Sequence, residues 1–171
     1  MSRLTYLDRA SLSPEIAALW DRRPLNLYRV IAHAPTAAPG FLALGRALLT
    51  ESELDPKLRE LVILRVGAIS KASYEIYQHK RLAKSVGLSD EEIAAALREQ
   101  SDDCLPEFTR LVLKFTDSVV WEVKAPEPLY TAVAGQLSER QMAELLLTIG
   151  FYMLVSRFLE NTEVEIEKAS P

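Results

Sequence analysis

One cysteine and two histidines stand in 171 residues. The single thiol, Cys104 in the polar segment SDDCLPE, cannot close an intrachain disulfide. No Cys-x-x-Cys pair exists for zinc or for dithiol redox work, and no HExxH or histidine cluster suggests a metal. Basic patches are missing too. The net charge is −4, and no stretch of Lys and Arg forms a face for nucleic acid or an anionic membrane. The longest apolar run, around Ile149 to Val155, is too short and too mixed to span a bilayer. The first twenty residues interleave charges with apolar side chains and lack a signal peptide's apolar stretch. These absences predict a cytoplasmic protein that binds neither nucleic acid nor membrane.

What is present is enough for one domain with a core of its own, because 49% of the residues are hydrophobic and 26% charged. Helix signals recur throughout, while strand alternation is nearly missing, which predicts an all-α fold. Ser13-Pro14, Asp55-Pro56, Ser89 with Glu92, and Ser138 with Gln141 are N-terminal signatures. They open helices over about 14–22, 56–69, 90–98 and 139–161. Further helices are expected over 25–33, 39–50, 74–86 with Ser73 as N-cap, and 106–123. Pro126 and Pro128 precede a short helical turn. Gly87 stands where a C′ glycine belongs. The polar tail, ENTEVEIEKASP, is expected to fray at its end.

Of the residue types that carry proton chemistry, Glu75 and His79 share a helix face at i, i+4, with Tyr74 and Gln78 as a second such pair. A break at residues 71–73 folds their helix back on the preceding one, bringing Glu60 towards His79. A carboxylate on an imidazole fixes the tautomer and raises the basicity, as proton transfer near neutral pH requires. The same spacing also suits an ordinary solvated Glu–His pair, so spacing leaves both readings open. His33 is either a helix-end residue or a pocket residue. Arg157 and Tyr152, on the last helix, are either surface and core groups or a clamp for a substrate carboxylate. Trp20 and Trp121 read as core or interface packing.

The stretch LDPKLRELVILRVGAISKASYEIYQHKRLAKSVGLSDEEIAAAL, residues 54–97, resembles the core of the carboxymuconolactone decarboxylase family, which includes alkylhydroperoxidase D. The family pattern sets a glutamate on one helix and a Cys-x-x-Cys-x-x-x-His segment on the next; decarboxylase-like members read more like YEWxQH there. This chain has Glu60 and then Tyr74-Glu75-Ile76-Tyr77-Gln78-His79. The resemblance implies a helical bundle with residues 51–167 as its core and 1–50 as an extension packed on it. It further implies a homo-oligomer, trimeric or hexameric, and a cofactor-free decarboxylase-like enzyme acting on a small carboxylated or lactone-like molecule. Glu60, Tyr74, Glu75 and His79 would be catalytic; Tyr152, Arg157 and His33 would bind substrate. Ala72 and Glu75 occupy the positions of the peroxidase cysteines. Peroxide reduction needs an attacking and a resolving thiol, so that activity is disfavoured. A non-catalytic binding or oligomerisation module is the remaining alternative.

Overall fold

A computed structural model describes residues 1–167. Among them are nine α-helices and no strand. They are α1 (Pro14–Arg22), α2 (Asn26–Ile31), α3 (Ala38–Thr50), α4 (Pro56–Ser70), α5 (Ser73–Ser85), α6 (Asp90–Ala96), α7 (Glu107–Glu122), α8 (Glu127–Ala134) and α9 (Glu139–Thr162). The expected caps account for four of the starts. Ser13, Asp55, Ser89 and Ser138 each accept a backbone N–H from the first turn, and the last two form complete capping boxes. Gly87, at φ +85°, ends α5 as a C′ residue.

α4 is the axis of the molecule, with α5, α6, α7 and α9 packed around it. Every residue from Leu58 to Gly67 is buried, so this helix has no solvent face for its polar residues to occupy. Of its three buried charged residues, Arg65 and Glu60 are held by hydrogen bonds to other helices. Arg65 makes two bonds to Asp117 of α7 and donates to the Ala95 and Ala96 carbonyls that end α6. Arg59 lies beside Glu60, which bonds α5. The helical period shows in the apolar positions, but it does not reveal that Arg59, Glu60 and Arg65 are interior as well.

The α4–α5 turn differs from expectation in one respect. Lys71 takes the left-handed conformation at φ 55°, and Ala72 is the N-cap of α5 with no side-chain bond of its own. Ser73 is the first helical residue, and its N–H donates to Glu160 Oε1 of α9 at 3.1 Å. A carboxylate from across the fold thus supplies the cap that Ser73 was expected to give.

α9 is long and apolar enough by length and composition to cross a membrane, yet half of its most apolar window is buried within the fold. That is the composition of a core helix. Beyond α9, Glu163 turns left-handed at φ 52° and the chain runs back over the N-terminal segment. Val164 is buried, and the Glu165 N–H donates to Tyr6 Oη at 2.8 Å. This part of the tail is tied down, while the fraying expected of the final residues lies outside those described.

Candidate functional site

Two helices joined by a tight turn place the first pair. Glu60 on α4 and His79 on α5 meet at 2.7 Å, the carboxylate Oε2 accepting from imidazole Nδ1–H. Both residues are buried. Glu60 Oε1 lies 3.6 Å from Arg59 Nε, which is itself buried without a hydrogen bond. The carboxylate is therefore flanked by two positive or proton-bearing groups, and the Nδ1 bond leaves Nε2 as the imidazole nitrogen available to a ligand. The edge of the Tyr152 ring meets His79 with centroids 4.9 Å apart and planes at 87°. That packing holds the imidazole in place from the α9 side.

Glu75 is the second carboxyl of the site, only 2% exposed. Ser156 of α9 donates to its Oε2 at 2.9 Å, and Oε1 is buried with no partner. Burial pushes its pKa well above the ordinary range, nearby Glu160 adds to the rise, and the Ser156 hydrogen bond opposes it. Glu75 thus holds its proton where a surface glutamate would be ionised. Gly67 makes room for it: a side-chain carbon there would stand 3.2 Å from Glu75 Oε1 and 3.1 Å from Ile76 Cγ1. Burial, with help from Glu60 and Glu75, also raises the Tyr152 hydroxyl, which stays protonated.

These groups face a pocket of about 580 Å³ between α1, α2, α3, α5 and α9. Glu75, His79, Tyr152, Tyr74 and Gln78 line it on one side; Leu19, Phe41, Leu42, Leu49, Phe151 and Val155 supply much of the apolar remainder. Glu60 is not in the lining and reaches the pocket through His79. Arg22, Arg23 and Arg46 border the space along with Glu15, so the basic residues outnumber the acid at its edge and favour an anion there.

Five of the seven expected site residues come together in this way: Glu60, Tyr74, Glu75, His79 and Tyr152. His33 and Arg157 do not. His33 is exposed and its Nε2 meets the Thr5 carbonyl at 2.8 Å, outside the pocket. Arg157 lies on the outer face of α9 and donates to Met153 O, because the helical period turns it away from Tyr152. Tyr74 lines the pocket, but its hydroxyl donates to Glu167 at 2.5 Å. Sequence reasoning missed Ser156, Gly67 and the arginine border. Ser156 left one signal, a hydroxyl in the apolar run of α9. Cys104 is exposed in the α6–α7 loop and takes no part in the lining. Among the described residues, no group of three metal-ligating side chains is assembled.

Residues 35–116 match the carboxymuconolactone decarboxylase family. Over this segment the chain is similar to that family. The matched segment carries Glu60, Tyr74, Glu75 and His79, and it begins inside what the sequence suggested was an extension. No functionally curated protein matches the sequence. Among solved structures, this chain resembles a peroxidase-related protein of Ralstonia eutropha JMP134 with an alkylhydroperoxidase AhpD core. The identity is 17%, covering 98% of this chain and 93% of that one, at a TM-score of 0.86. A peroxidase-related protein of Silicibacter sp. TM1040 matches at 17% identity over 95% and 92% of the two chains, at 0.77. The debrominase Bmp8, as a cysteine-to-alanine variant with 2,3,4-tribromopyrrole, matches at 18% over 99% and 95%, at 0.81. At such identities the likeness is one of fold. Since it spans nearly the whole chain, the first fifty residues share that fold.

Proposed function

We propose that this chain is a cofactor-free acid–base enzyme acting on a small, largely apolar molecule that bears a carboxylate or a lactone. The observation that carries this reading is the Glu60–His79 pair opening on an apolar pocket beside a carboxyl that keeps its proton. An imidazole held by one carboxyl, with a second buried carboxyl lining the same pocket, supplies the groups a site needs to take and return protons. In a decarboxylation, the bond between the substrate carbon and its carboxylate breaks and carbon dioxide leaves. The electron pair passes into a conjugated carbonyl, giving an enolate, and a proton then adds to carbon. Tyr152 is suited to hydrogen-bond the enolate oxygen, a task that Tyr74, already bonded to Glu167, is less free to do. His79 or Glu75 supplies the proton, and solvent restores it. Glu60 is a positioning residue acting through His79.

Thiol-dependent peroxide or dehalogenation chemistry finds little support. Ala72 and Glu75 stand at the cysteine positions, and the one thiol lies in an exposed loop. The test is turnover on a panel of unsaturated carboxylic acids and carboxylated lactones, read by carbon dioxide release and ring opening. On any substrate found, His79→Gln is expected to lower kcat by roughly 10²–10⁴-fold. Unchanged turnover in that variant would sink the assignment.

A further inference from the structure

The C-terminal segment brings a carboxylate of its own to the pocket wall. Glu167 Oε1 accepts from Tyr74 Oη at 2.5 Å and from the Asn26 backbone N–H at 2.6 Å, and its Oε2 accepts from Gln78 Nε2 at 2.7 Å. Tyr74 and Gln78 both line the pocket. Arg23 donates to Gln78 Oε1 at 2.9 Å, which turns the amide so that its NH₂ faces the acid. Three donors converging on one carboxylate, none of them an ion-pair partner, form a cradle matched to a carboxylate in shape. Nothing in the proton chemistry above uses it.

We propose that Tyr74, Gln78 and the Asn26 N–H form a carboxylate-binding subsite of the pocket, and that Glu167 fills it as an intramolecular competitor for the ligand's carboxylate. This rests on the reading that the pocket takes a small carboxylated molecule. The local anchoring allows the exchange. Val164 is buried and Glu165 is bonded through its N–H to Tyr6 and through its carbonyl to Asn26 Nδ2. Glu167 can leave by rotation of the chain beyond Glu165, while the strap up to Glu165 stays docked. An arriving carboxylate replaces one charge-assisted set of hydrogen bonds with an equivalent one, so the exchange leaves no donor stranded. The arginine border then meets the ligand's charge in place of the tail's. A neutral analogue gains nothing from the cradle and must leave Glu167 in place.

Calorimetric titration of the full chain with benzoate and with benzamide tests this. In Glu167→Ala, benzoate is expected to bind about tenfold more tightly than to the native chain, a change of about 1.4 kcal/mol. Benzamide affinity should be unchanged. Adding Tyr74→Phe to Glu167→Ala should remove the gain. Glu167→Gln, which keeps the strap's acceptor but not its charge, should shift benzoate in the same direction by less. Equal benzoate affinity in the native chain and both Glu167 variants overturns the proposal, as does an equal gain for benzamide. Weaker benzoate binding in folded Glu167 variants would also overturn it, making the tail part of the wall. Because binding is read and not turnover, this can fail while the His79 assignment stands, and the reverse.

Discussion

Glu75 has one oxygen bonded to Ser156 and the other facing the space that Gly67 leaves open. A carboxyl with a raised pKa binds its proton more tightly in the folded chain than in the unfolded one. Above the ordinary value near 4.5, the unfolded chain gains by ionising and the folded chain does not. This group's contribution therefore erodes as pH climbs from the ordinary range towards the raised folded value. Glu75→Gln removes the titration, so urea midpoints measured between about pH 5 and 8 should fall less steeply in that variant. Identical slopes would show that Glu75 does not hold its proton. The sequence could place Glu75 on the right face but not assign its protonation state, because that state depends on burial by α9, which begins more than sixty residues later.

At the scale of elements, the legible helices were those that carry their own punctuation. Ser13, Asp55, Ser89 and Ser138 each bond an N–H three residues on, so sequence and structure agree. The α4–α5 turn was less legible because Glu160 supplies its cap from 87 residues away. Its other feature is Lys71, exposed and left-handed, where a side chain costs about 1 kcal/mol that glycine avoids. Lys71→Gly is accordingly expected to raise the thermal midpoint by about 2–4 °C, as calorimetry would read it. Since this turn sets the approach of Glu60 to His79, an unchanged or lower midpoint would mean that the lysine's conformation is not the strained part of the hinge.

On the scale of the whole molecule, α9 packs one side on α4 and leaves Leu146, Leu147 and Leu154 exposed on the other. Leu147 and Leu154 are one heptad apart with Gly150 between them, the spacing along which two like helices pack. The homo-oligomer implied by the family resemblance has a face of the right kind here. Light scattering is expected to give a mass above the 19.2 kDa of one chain, and Leu147→Asp with Leu154→Asp to bring it down towards that value. A native mass of one chain would remove the face's purpose.

The strap that crosses from α9 to the first residues also has a consequence for the order of assembly. Arg3 N–H reaches Thr162 O, Tyr6 Oη accepts from Glu165 N–H, and Asn26 N–H donates to Glu167, each contact spanning 141–159 residues of chain. Contacts of such separation are the slowest to close. Glu60 and His79, by contrast, are separated by only 19 residues across one turn, a contact that can close early. On the ribosome, the first residues and α2 would emerge first, yet their contacts with the strap would wait until the last segment was made. The acid–base pair would then exist before the chamber that gives it a substrate.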